Sequence, residues 1–218
     1  MTSVRAAIVV MLLAVCASAA AQQAPPRIGP IVFDAHLTFP GFPSDSQQLA
    51  DSRPFISVTD LPGLGRGIDI AAQLYLLRVR KVTFGIGGNL MIGTSHSSLP
   101  AVPAGQTSFA HAVNERYTSF APQVSINFGN GNGWSYLSGG IGQSTWSLIA
   151  DVGAEGPADQ EPLETINYGG GARWFKKKHV GFSFDVRFYA INPGTPYNGF
   201  PGSPRTRLLV MGAGVSVK

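Results

Sequence analysis

Val180-Gly181-Phe182-Ser183-Phe184-Asp185-Val186-Arg187-Phe188 alternates strictly between large apolar residues and small or polar ones. Successive side chains of a β-strand point to opposite faces. Val180, Phe182, Phe184, Val186 and Phe188 therefore share one face, opposite Gly181, Ser183, Asp185 and Arg187. A helix would spread the same phenylalanines around its circumference. The unusual feature is the content of the two faces, with bulk on one and charge and glycine on the other.

The same period-two pattern recurs on both sides of this stretch. It predicts strands over Phe33 to Phe39, Ile68 to Leu76, Val82 to Ile92, Phe120 to Phe128, Thr165 to Phe175 and Leu209 to Val217. Trp134 to Trp146 is a weaker, glycine-rich candidate whose faces the pattern does not assign. The total is eight strands. Three connections are short: 78–81, 129–133 (GNGNG) and 176–179 (KKKH). Four are long and rich in Pro, Gly and Ser, at about 40–67, 94–116, 147–164 and 192–205. Long and short connections alternate, so an antiparallel meander places all the long ones at one end.

A soluble sandwich has no reason to sort its loops in this way. A transmembrane barrel has short periplasmic turns at one end and long external loops at the other. The apolar face suits acyl chains, and the opposite face, mostly Gly, Ser, Asn and Gln, suits a narrow lumen. A water-soluble barrel, such as one of lipocalin type, would fill its inside with the large apolar side chains instead.

Residues 1–21 read as a secretory signal peptide: Arg5, then the apolar run Ala6 to Val15, then small residues from Ala17 to Ala21. The run is too short to span a bilayer as a helix. Leu13-Ala14-Val15-Cys16 is a rival lipoprotein box, with Val15 larger than that signal's usual Gly, Ala or Ser. Residues 22–218 then form one barrel domain. The single cysteine, Cys16, lies within the signal, so no disulfide framework is available despite export. Charged residues make up 13 % of the chain, against about 25 % in soluble domains. The net charge is +4, carried in short clusters rather than a broad patch, which argues against nucleic acid.

The chain resembles the eight-stranded outer-membrane β-barrels of the OmpA/OmpX type from Gram-negative bacteria. The likeness is clearest over Tyr168 to Ala190 (YGGGARWFKKKHVGFSFDVRFYA), where a glycine-rich strand ends in aromatics, turns, and returns as an apolar strand carrying Asp-x-Arg. The resemblance implies an all-β, eight-stranded antiparallel up-and-down transmembrane barrel in the outer membrane. Its implied partners are outer-membrane lipid and lipopolysaccharide, the barrel-assembly machinery, and a surface ligand met through mobile external loops. A monomer is expected. The group's last strand usually ends in Phe or Trp, where this chain reads Val215-Ser216-Val217-Lys218.

The lumen of such a barrel has room only for side chains. Asp34, Asp69, Arg173, Asp185 and Arg187, with His36 nearby, are therefore expected to pair as a network that holds it together. A gated polar path or a proton-linked site is the functional alternative. His96-x-Ser98 raises a second idea, since some eight-stranded barrels are lipid A deacylases with His and Ser so spaced and an acid on the next strand. Here the nearest acid, Glu115, falls in the predicted second long loop. The basic turns Arg78/Arg80/Lys81 and Lys176 to Lys178 are either solvated or placed against anionic headgroups or peptidoglycan. Four dispersed histidines form no zinc signature, and Gly169 to Gly171 precedes no helix that could bind phosphate. No metal or cofactor is expected. The resulting expectation is a non-enzymatic envelope or surface protein, with a lipid A-modifying enzyme or a small-solute channel as alternatives.

Overall fold

The computed structural model describes residues 26–98 and 110–218. The segment read as a signal peptide lies outside the described residues, as does 99–109 of the second long connection. The strands are β1 (Ile31–Gly41), β2 (Arg66–Val79), β3 (Val82–His96), β4 (Val113–Asn130), β5 (Gly133–Ala150), β6 (Leu163–Trp174), β7 (Val180–Ile191) and β8 (Thr206–Val217). Each pairs antiparallel with its chain neighbour, and β8 pairs with β1, so the sheet closes into an eight-stranded barrel. Closure leaves no sheet edge with unpaired backbone groups, which hydrocarbon would not tolerate.

The short turns at 80–81, 131–132 and 175–179 lie at one end, and the long connections 42–65, 151–162 and 192–205 at the other, where β3 ends and β4 begins. In transmembrane barrels the end that bears the long loops is the outer one. The outer wall is apolar. Leu37, Val124, Ile141 and Phe182 are each more than half exposed, whereas Asp34, Asn127, Arg173 and Ser183 are buried within the lumen. Trp174 stacks on Phe182 and Tyr168 on Phe188 on the outside wall, with ring centroids 6.2 and 5.5 Å apart. So continuous an apolar belt exceeds the few hundred Å² that a soluble monomer exposes, and lipid is its natural covering. A register shift between Tyr75 and Leu77 turns Leu76 and Leu77 both outward, as a β-bulge does.

The strands run further than the period-two reading placed them, and the polarity of the wall reverses along the way. On β4, Phe120, Val124, Ile126 and Phe128 face out and Gln123, Ser125 and Asn127 face in. Nearer the outer end, Val113 and Tyr117 face in and Asn114 and Arg116 face out. The same inversion puts Trp146 and Leu148 of β5, Leu163 of β6, Ile191 of β7 and Leu208 of β8 inside. β4 and β5 are 18 residues long, against the roughly 10 needed to cross a bilayer, so their outer parts stand in water. There the outside must be polar, and the inside can be apolar if something fills it.

Candidate functional site

The lumen is filled in three layers. Toward the short turns, Trp134 stacks on Phe175 with centroids 5.0 Å apart and meets Tyr75 edge-on. Ile28, from the segment preceding β1, completes this layer with Val32. The Gly131 amide bonds to the Pro26 carbonyl, and Lys218 Nζ donates to the Gly131 carbonyl, so two chain segments close this end together.

The middle layer is polar and continuous. Asp34 accepts two bonds from Arg173, from Nε at 2.9 Å and Nη2 at 2.5 Å, and a third from Ser216 Oγ at 2.5 Å. The Arg173 guanidinium lies 3.9 Å from the centroid of the Tyr136 ring, and the Tyr136 hydroxyl donates to Asp185 at 2.7 Å. Arg187 binds Asp185 through Nε and Nη2, both at 3.1 Å, and reaches Ser138 and Asn167. Gln123 donates to Asn89 and Asn167, and Asn89 donates to Asp69 and Tyr189. His36 bonds Ser183 through Nε2 at 2.8 Å, while its Nδ1 stands 3.7 Å from Asp69. Of the five charged residues picked out in the sequence, four therefore form two ion pairs. The fifth, Asp69, is held by an amide and faces a histidine. All lie within one connected set of side chains. Paired and bonded in this way, the charges avoid most of the cost of leaving water.

The inner face is not uniformly small, as the sequence reading had it. Tyr136 has room because it sits opposite Gly171 on β6. A Cβ on Gly171 would stand 2.7 Å from the Tyr136 hydroxyl and 2.1 Å from the Phe184 carbonyl. The glycine run makes space for lumen side chains.

The outer layer is apolar and is covered by the first long connection. Helix α1 (Gln47–Asp51) starts at Ser46, whose Oγ accepts from the Leu49 amide as an N-cap. The helix buries Leu49 and Ala50 against a core that includes Tyr117, Trp146, Tyr189 and Leu208. Arg53, just beyond the helix, is buried and turned toward the third connection. Its Nε donates to Asp159 Oδ1 at 2.8 Å, and its Nη2 donates to the carbonyls of Ala158 and Trp146. Asp159 sits on the short helix α2 (Pro157–Gln160) and also accepts from the Leu148 and Gly156 amides. Two of the loops expected to be mobile thus form an ordered cover. Arg53 and Asp159 carry no motif; Pro157, at the start of α2, is a residue type that favours a helix start there.

His96 and Ser98 do not join an acid. His96 Nδ1 bonds Asn114 at 2.9 Å on the exposed wall. Glu115 lies on β4 rather than in a loop, turns inward, and accepts from Trp146 Nε1 at 2.7 Å. Neighbouring positions on a strand face opposite ways, which separates the two groups. Among the described residues no cluster of His, Cys, Asp or Glu could hold a metal ion.

No family model matches the chain, and no curated protein does. Solved structures do. The Neisserial surface protein A matches with a TM-score of 0.50 and 14 % identity, over 87 % of this chain and 97 % of its own. The outer membrane protein OprG from Pseudomonas aeruginosa gives 0.49 and 10 %, over 88 % and 97 %. The attachment invasion locus protein of Yersinia pestis gives 0.46 and 9 %, over 86 % and 95 %. At this identity the likeness is one of fold. The closed barrel and the Neisserial match together give this chain the eight-stranded antiparallel fold of outer-membrane β-barrel proteins.

Proposed function

We propose that this barrel resides in the outer membrane as a closed, non-enzymatic scaffold whose envelope role is exerted at its loop-bearing end. One observation carries the reading: the lumen is occupied along its length by an aromatic layer, a polar network and an apolar layer under a loop-borne cover. A channel of the same diameter would need a continuous water path. A deacylase would need His96 oriented by an acid, and its partner here is the neutral Asn114. The ordered pair of outer loops, joined by Arg53 and Asp159, offers a fixed surface for contact with a partner outside the cell.

The test has three parts. Membrane fractionation and gels run with and without boiling are expected to show an outer-membrane protein whose unheated form migrates differently from the heated one. Planar bilayers containing the refolded protein are expected to show no conductance steps, and regular steps would establish a channel instead. Cells expressing the protein are expected to keep their lipid A acylation pattern. A change abolished by His96→Ala would establish the enzyme.

A further inference from the structure

Arg66 on β2 and Arg116 on β4 both pair with Thr94 on the strand between them, so the three side chains share one row of the outer wall. Both arginines are exposed, and neither side chain has a hydrogen-bond or ion-pair partner among the described residues. Two strand spacings separate them, about 10 Å. They lie where the polarity of the wall inverts. Two residues further down the same face of β2 and β3 are Ile68 and Ile92, 51 and 42 % exposed. This row is where apolar wall gives way to the headgroup zone of the outer leaflet.

Two grooves meet at this row. The upper one, about 990 Å³, is lined by Arg66, Thr94, His96, Asn114 and Arg116 together with Glu155 of the third loop and the apolar Phe39, Leu64 and Ile149. The lower one, about 460 Å³, is lined by Leu37, Ile68, Ile70, Leu90 and Ile92 and shares Arg66 and Thr94 with the upper. A cationic, hydrogen-bonding recess thus opens directly onto an apolar trough that runs down the lipid-facing wall.

The geometry points to a binding site for a phosphate-bearing amphiphile of the outer leaflet: its phosphate held by Arg66 and Arg116, and one acyl chain laid in the trough below. Guanidinium groups bind phosphate through paired, charge-assisted hydrogen bonds. Two such groups at a membrane surface supply attraction where a zwitterionic lipid has little to gain. The trough explains why the ligand is a lipid rather than free phosphate. The assignment rests on the outer-membrane reading above, because it takes the loop-bearing end to meet the outer leaflet.

Native mass spectrometry of the folded protein in detergent, titrated separately with lipid A, phosphatidylglycerol, phosphatidylcholine and inorganic phosphate, tests it. Lipid A and phosphatidylglycerol are expected to bind the wild type, with phosphatidylcholine and inorganic phosphate binding at least tenfold more weakly. Arg66→Gln/Arg116→Gln is expected to lose lipid A binding by roughly tenfold or more, while Lys177→Gln/Lys178→Gln at the opposite end keeps it. Equal binding by the double arginine variant, equal loss in the lysine variant, or binding of inorganic phosphate as tight as that of lipid A would overturn the site. Unheated gel mobility checks that each variant is folded. A wild type that shows no heat-dependent band and does not enter bilayers would instead overturn the barrel reading, so the two failures are distinct.

Discussion

Arg53 and Asp159 lie 106 residues apart in the chain, yet Arg53 Nε and Asp159 Oδ1 meet at 2.8 Å with both side chains about 4 % exposed. The pair joins two outer loops above the barrel rather than two strands of its wall.

Asp159→Asn leaves the buried guanidinium without a counter-charge, a change that costs about 3–5 kcal/mol where the pair is structural. Because only the cover depends on it, the loss is expected as release of α1, not as unfolding of the barrel. Hydrogen–deuterium exchange should show residues 47–52 exchanging far faster in the variant, with strand amides still protected. Unchanged protection of 47–52 would show that the apolar layer alone holds the helix.

Asp34 and Arg173 form the most tightly bonded pair of the lumen. Asp34→Asn is expected to lower barrel stability by about 3–5 kcal/mol, since Arg173 stays buried and uncompensated. Asp34→Leu/Arg173→Met removes both charges and is expected to recover most of that loss. Urea titrations read from heated and unheated gel bands measure both. A double variant as weak as the single one would mean that the two side chains do not act as a pair.

Val124, 66 % exposed, faces lipid near the middle of β4, and Asn114 faces water beyond the polarity inversion. Val124→Arg is expected to cost about 2–4 kcal/mol for reversible folding into bilayers, and Asn114→Arg close to nothing. Equal costs at the two positions would contradict the placement of the bilayer edge between them.

Gly171→Ala puts a methyl group where the Phe184 carbonyl would be 2.1 Å away and the Tyr136 hydroxyl 2.7 Å away. Overpacking of this kind costs about 1–3 kcal/mol. Tyr136→Phe relieves the contact with the hydroxyl but not the one with the neighbouring strand's backbone, so it is expected to leave the loss largely in place. Full rescue by that second change would locate the clash in the hydroxyl alone.

The fold was legible wherever one face met lipid and the other the narrow lumen. Phe182 and Phe184 against Ser183 and Asp185 set bulk on one face and small or charged side chains on the other. Legibility failed where that contrast failed. Trp134 and Tyr136 point inward while Leu137 and Ile141 point outward, so β5 carries large apolar residues on both faces and gave no assignable pattern. The outer end of β4, Val113 to Arg116, falls within the predicted second long loop because Val113, Tyr117 and Arg116 follow the rule for a wall in water, the reverse of the rule that holds for Phe120 to Phe128. Glu115 lies on β4 rather than in that loop for the same reason. The charged lumen residues could be picked out one by one from the strand faces, but their partners depend on register around a closed ring. Arg53 and Asp159 gave no signal at all, because nothing local distinguishes a buried loop arginine from a solvated one.

The pairing of β1 with β8, with Phe33 opposite Val217, has a kinetic corollary. The opening strand waits for a mate that follows every other strand in the chain, so each shorter species carries two unsatisfied margins and a half-built oily exterior. Such intermediates invite association with their neighbours, and ring completion must come late and across the longest loop available. Assembly of this molecule is therefore expected to be slow when unaided, and to depend on whatever shields those margins until the first and last strands meet.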